Sequence, residues 1–135
     1  MASYNKFNSF VADIANKVHN LGSDTLKVAL TDSAPVATNT VLANITEISY
    51  TNLSTRNITT SSSTQTSGLY KLILTDLVLT ATGVVGPFRY IVIYNDTASS
   101  KQLIAWFDYA SEVTMSNTDT FTLDFDGTNG LLQLT

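Results

Sequence analysis

Cysteine is absent from the 135 residues, which excludes disulfides and thiolate zinc sites and removes the usual indicator of redox compartment. Charge is scarce as well: Asp, Glu, Lys and Arg make up 13% of the chain, against about 25% in ordinary soluble domains. There is a single histidine, His19, so a His-based metal site fails for want of a second imidazole. No apolar run approaches the roughly 20 residues that span a bilayer. The N-terminus, MASYNKFNSF, lacks the basic start and continuous apolar stretch of a signal peptide, and the expectation is a chain made and folded in a cytoplasm. The seven basic residues, Lys6, Lys17, Lys27, Arg56, Lys71, Arg89 and Lys101, are scattered, and the net charge is −4. Without a basic patch, a phosphate backbone has nothing to neutralise it, so neither nucleic acid nor membrane is an expected partner.

Catalytic groups are equally sparse. A Ser-His-Asp arrangement would need His19 as its base, yet no Gly-x-Ser-x-Gly elbow occurs and His19 falls off the apolar stripe of a predicted helix, on its solvent side. The carboxylates Asp108 with Glu112, and Asp119 with Asp124 and Asp126, are the remaining candidates for acid and base work, but nothing in their spacing sets a separation. Asp124 to Asn129 carries oxygen ligands of the kind calcium takes, without the alternating ladder and closing Glu of an EF-hand, and turn chemistry accounts for Asp126-Gly127 better. The expectation is a protein that is not an enzyme and takes no cofactor or metal.

What the chain has in quantity is uncharged polar and apolar residues, the latter 44%. A surface of Ser, Thr and Asn costs little to desolvate, which suits packing against copies of itself or a larger assembly. The length fits one domain, residues 1–135, with a core large enough to need no staples.

Phe7, Phe10, Val11, Ile14, Val18 and Leu21 recur at helical spacing, which predicts an amphipathic helix over about 4–21, with Ser3 as N-cap and Gly22 as its stop. Its stripe either lies across a sheet or docks on a partner. From Thr25 the period becomes two, giving a first strand with Leu26, Val28 and Leu30 inward and one wet side. Val36 to Thr55 is weakly patterned. Thr59 to Ser67, TTSSSTQTS, has no apolar side chain to bury and is expected to be an exposed loop. Leu69–Leu74 and Leu77–Leu79 read as strands, and Gly83 and Gly86-Pro87 as turns.

The strongest β signal is Phe88 to Tyr109, two aromatic, β-branched runs around the polar segment Asn95–Gln102. Both runs are apolar at nearly every position, so either both faces are covered within the domain or one meets a partner. Short strands follow at Glu112–Met115, Thr120–Phe125 and Leu131–Leu134. One helix and roughly eight short strands predict a β-sandwich or jelly roll. The candidate interface residues are Phe7 and Phe10 from the helical stripe and Tyr90, Tyr94, Trp106 and Tyr109 from the hairpin, aromatic side chains of the type that anchor interfaces.

The order of these segments resembles a widespread family of small tailed-bacteriophage virion proteins. The resemblance spans nearly the whole chain and rests most on Asp24-Thr25-Leu26-Lys27-Val28-Ala29-Leu30, on Arg89-Tyr90-Ile91-Val92-Ile93-Tyr94, and on Leu103-Ile104-Ala105-Trp106-Phe107-Asp108. The sequence departs from the pattern after Ile48-Ser49, where Tyr50 to Arg56 replaces a Gly-rich turn. The resemblance implies a structural role on the particle, most directly a capsid decoration or cement protein on the virion surface. Its implied partners are the major capsid protein and copies of itself, as a trimer or else a dimer. A tail or baseplate component and a carbohydrate-binding module on the virion are the alternatives.

Overall fold

A computed structural model of the chain describes residues 2–135. It is mostly β, with antiparallel sheets in a sandwich-like arrangement. In chain order the elements are β1 (Ser3–Lys6), α1 (Phe10–Ala15), β2 (Leu26–Thr31), a 3-10 turn at Leu42–Asn44, β3 (Asn57–Ile58), β4 (Thr60–Thr66) and β5 (Leu69–Leu74). Then come β6 (Leu77–Thr80), β7 (Val85–Asn95), β8 (Leu103–Met115), β9 (Thr120–Leu123) and β10 (Leu132–Leu134). A five-stranded sheet runs β1-β8-β7-β2-β3, a three-stranded sheet β10-β5-β4, and a two-stranded sheet pairs β6 with β9.

The main core lies between the large sheet and the two small ones. Leu26, Val28, Leu30, Ile91 and Ile93 meet Leu72, Leu74, Leu79 and Leu123 there. Val28 lies opposite Ile93 and Leu30 opposite Ile91 in the β2–β7 ladder, so the register that pairs the backbones also stacks branched side chains on one face. Burying each of these is worth about 1.5–3 kcal/mol. A second, smaller core occupies the opposite face of the large sheet, where Ala29, Val92, Tyr94, Leu103 and Trp106 are covered by Phe7 and Ile45, with Ala37 and Leu42 packed against them. The central hairpin is therefore closed on both faces by the chain's own residues. The stretch from Ala37 to Ile45 does this from a weakly patterned sequence.

Several expectations are corrected. The helix is short: Ser3–Lys6 is a strand paired to β8, so Ser3 caps nothing, and Ser9 is the N-cap of α1, without a side-chain cap bond. The helix ends at Ala15, and Lys17 takes positive φ (66°), so Gly22 is not its stop. Phe7 and Phe10 share a helical spacing yet enter different cores, because the chain crosses the open end of the sandwich between them. A six-residue helix gains little from propensity, and pairing the N-terminal segment with β8 wins. β2 has no wet side, since Ala29 and Thr31 are buried along with Val28 and Leu30. Thr59 to Ser67 is no loop: it contains β4, an edge strand paired with β5, whose Thr residues supply β propensity without any apolar signal.

Gly86-Pro87 lies inside β7, and Glu112–Met115 belongs to the long β8. The ladder between them skips from Phe88↔Val113 to Tyr90↔Asp108, so Tyr109 to Glu112 bow out of the sheet as an exposed excursion, with Ala110 at φ 70°. The segment after Asn95 is tied back onto the end of β7. The Asn95 Oδ1 accepts the backbone N–H groups of Thr97 and Ala98 at 2.9 and 3.1 Å, and both Asn95 and Ala98 are buried.

Candidate functional site

The sandwich is open along the side where β1 ends the large sheet. Two contiguous grooves lie there, and Tyr4 lines both. The larger, about 740 Å³, is walled by Tyr4, Phe107 and Tyr109 on one side and by Phe121 and the segment around Asp124 and Phe125 on the other. Its rings form a chain of edge contacts: Tyr4 to Phe107 at 5.5 Å, and Tyr109 to Phe121 at 5.1 Å between centroids. The smaller, about 370 Å³, runs between β1 with α1 and the last residues, Asn129 to Leu134. Of the large apolar side chains exposed among the described residues, Tyr4, Val11, Tyr109 and Leu134 all line these grooves.

Of the interface candidates, Tyr109 alone is exposed, at 42%, with its ring packed on Phe121. Tyr90 is half-buried. Phe7, Phe10, Tyr94 and Trp106 are covered by the chain itself: Phe7 packs on Trp106, and Phe10 stacks on His19 at 5.5 Å. The aromatic residues of the larger groove that were not among the interface candidates are Tyr4, hidden in a supposed helix, and Phe107, Phe121 and Phe125.

Asp108, Asp119 and Asp126 are occupied by structure, while Glu112 and Asp124 are exposed. The Arg89 guanidinium donates to both Asp108 oxygens, at 2.8 and 3.0 Å, and this holds the Asp108 carboxyl below its usual range, with the Ala110 N–H adding to the effect. Asp126 accepts from the Thr128 and Asn129 backbone and from the Asn129 amide, and these bonds depress it likewise. Its oxygens serve the turn. Asp119 accepts the Ser116 N–H. A general acid needs a raised carboxyl, and the shifted carboxyls here move the other way. Among the described residues, no three His, Cys, Asp or Glu side chains are grouped to hold a metal ion.

His19 is buried, contrary to its expected solvent position. Asn95 Nδ2 donates to its Nδ1 at 3.0 Å and to Asp24 Oδ2 at 2.6 Å. Burial lowers the His19 pKa, opposed by the nearby Asp13 and Asp24 charges. The cluster ties the segment after α1 to the end of β7, a positioning role, beside a hollow of about 520 Å³ that His19, Asp24 and Tyr70 line.

The stretch Glu47 to Arg56 seals the free edge of β2 beyond the short β3. Tyr50 Oη accepts the Leu30 N–H at 2.9 Å and donates to Glu47 at 2.8 Å. Arg56 donates to the Val28 carbonyl while its guanidinium lies 3.6 Å over the Tyr50 ring, and the Val28 N–H reaches the Arg56 carbonyl. Burial raises the Tyr50 pKa far above its ordinary value.

No protein-family model matches the chain, and neither a curated protein nor a solved structure shows significant similarity to it.

Proposed function

We propose that this chain is a structural, non-enzymatic protein of a tailed-bacteriophage virion, a decoration or cement protein that binds the major capsid shell and acts alongside copies of itself. The observation that carries this reading is the charge-poor exterior. β4 presents only Thr, Ser and Gln, and Val36, Val78 and Val84 stand exposed elsewhere. Such a surface sheds water cheaply, and a cement protein stabilises a shell by burying area between subunits. The resemblance of the Asp24–Leu30 stretch and of the central hairpin to small virion proteins supports the same reading.

Incubation of the purified protein with undecorated, expanded capsids, followed by imaging, is expected to show regular added density at the capsid's local symmetry axes. No binding at micromolar protein overturns the proposal. Copy number in purified virions separates head from tail: hundreds support the capsid, a handful supports a tail or baseplate component. A second reading, a carbohydrate-binding module on the virion, is favoured by one observation, the exposed rings of Tyr4 and Tyr109 in the larger groove. Amphipathic rings of this kind present an apolar face with a polar handle. A glycan array without hits removes that reading.

A further inference from the structure

We infer that the slot between β1 and β10 is a binding site for an extended peptide segment of another protein, which pairs with β1 as an added strand. The inference does not depend on the virion reading. It begins with the ladder between β1 and β8. The Phe7 N–H donates to the Ile104 carbonyl at 3.2 Å, and Lys6 and Tyr4 face Ala105 and Phe107. Antiparallel pairing alternates between bonded and non-bonded residues, so the N–H and C=O groups of Tyr4 and Lys6 turn away from β8 to the free edge of the sheet, and both residues line the smaller groove.

The other edges are dealt with differently. β2 is sealed by Tyr50 and Arg56. The β6 edge is held by Ser54, whose Oγ accepts the Thr80 N–H at 2.9 Å and whose N–H reaches the Thr80 carbonyl at 3.0 Å. β4 carries no apolar side chain that would reward a partner. At β1 outward backbone groups coincide with two exposed apolar side chains, Val11 and Leu134, and with a second sheet edge, β10, across the gap, whereas β6 exposes a lone Val78.

The dimensions select the occupant. Four residues of strand give an edge about 13 Å long at ~3.3 Å per residue, whereas a stable dimer buries about 800 Å² on each partner. A second copy laid against so short an edge falls well short of that area. A single extended segment fits it, since main-chain bonds to β1 supply affinity and alternate side chains enter the grooves on either side. The groove carries Lys6 at one end, while Asp124 and Asp126 lie on the contiguous larger groove. The complementary segment therefore alternates apolar residues and carries a basic residue toward the aspartates.

The test uses Tyr4→Pro, which deletes an outward donor without touching a bond to β8, a position where an edge strand tolerates proline. A random linear dodecapeptide library is selected in parallel on the full-length wild type and on this variant. The expected result is a family of alternating-apolar peptides enriched on wild type alone. A synthetic copy of the leading peptide should slow hydrogen exchange at the Tyr4 and Lys6 amides by at least tenfold. Should Tyr4→Pro lower the unfolding midpoint, Val11→Ser combined with Leu134→Ser, both exposed, replaces it and should weaken the same peptide at least tenfold. No enriched family, equal enrichment on both proteins, or exchange protection elsewhere on the surface overturns the inference. Protection of the same amides that rises with protein concentration in the absence of peptide assigns the edge to a second copy and also overturns it. Protection induced only by a soluble hexasaccharide does the same in favour of a sugar site.

Discussion

Phe7 lays its ring against Trp106, with centroids 4.5 Å apart and 43° between the planes, on the face of the central sheet turned away from the main core. Phe7 stands just after β1 and Trp106 within β8, so the pair fastens the N-terminal segment to the most strongly β-forming part of the chain. Both are buried. Trp106→Ala is expected to destabilise the fold by about 3–5 kcal/mol and Phe7→Ala by a similar amount. A double-mutant cycle by urea denaturation should return a coupling of about 0.5–1.5 kcal/mol for the ring pair. A Trp106→Ala protein of unchanged stability would place that tryptophan outside the core.

Tyr50→Phe tests the seal on β2. The substitution keeps the ring under Arg56 but removes the hydroxyl that accepts the Leu30 N–H. An N–H left without an acceptor in a half-buried site costs about 1–3 kcal/mol, and the reopened edge should raise the tendency to aggregate. Urea midpoints and light scattering on heating check both effects.

How legible this architecture is in the sequence depends on how each residue earns its position. Leu69–Leu74 and Leu26–Leu30 are evident as strands because burial dictates their side chains. The hairpin of Arg89–Tyr94 and Leu103–Tyr109 shows its double-sided burial as unbroken hydrophobicity. The N-terminal segment misleads, because Phe7, Phe10, Ile14 and Leu21 reach two different cores from the residue after a strand, a short helix and a turn while keeping a helical spacing. Tyr50 and Arg56 give no periodic signal, since they act on the backbone of β2 and not on a hydrophobic face. The grooves along β1 depend on which sheet edges end near one another, a tertiary property that no local pattern carries.

His19 gives the fold a pH dependence whose sign follows from its partners. Asn95 Oδ1 is committed to two backbone N–H groups, so its Nδ2 must face His19 Nδ1 as donor. Protonation of Nδ1 would set donor against donor. Burial, the larger influence, lowers the folded-state pKa below the ordinary 6.5, while Asp13 and Asp24 pull the other way. At a pH between the two values the unfolded chain holds the extra proton, so stability is complete above about 6.5 and declines as pH falls toward the lowered folded value. Thermal midpoints taken from pH 8 down to pH 5 should show this decline. His19→Gln, which keeps an acceptor for Asn95, should flatten it.

Gly86 is required by geometry. It holds φ at +117°, and a Cβ placed on it would come 2.7 Å from the Val113 carbonyl oxygen, a backbone atom that cannot swing aside. Gly86→Ala therefore meets both an unfavourable backbone conformation, about 1–3 kcal/mol, and a clash in the β7–β8 ladder. The expected outcome is a lower urea midpoint with the loss concentrated at Val85–Phe88 and Val113–Met115 in hydrogen exchange.

The Arg89–Asp108 pair organises the excursion of β8 without holding up the whole fold. It sits where three residues of β7, Phe88 to Tyr90, face six of β8, Asp108 to Val113. The same Asp108 Oδ1 that accepts from Arg89 also accepts the Ala110 N–H at 2.8 Å. One carboxylate thus fixes both the start of the excursion and its left-handed residue. Asp108 is partly exposed, so solvent screens the ion pair, and its removal should leave the global midpoint nearly unchanged. The local effect is different. The depressed carboxyl keeps its charge, and with it the Ala110 bond, until pH falls through the folded-state pKa, so Ala110 exchange should be slow at neutral pH and lose its protection in acid. Asp108→Asn should remove that acid step. It should also loosen Tyr109, whose ring forms one wall of the larger groove and packs on Phe121. Exchange at Ala110 and the ring-proton shifts of Tyr109 report these two consequences separately. If Asp108→Asn leaves both at their wild-type values, the excursion is held by its ladder ends alone.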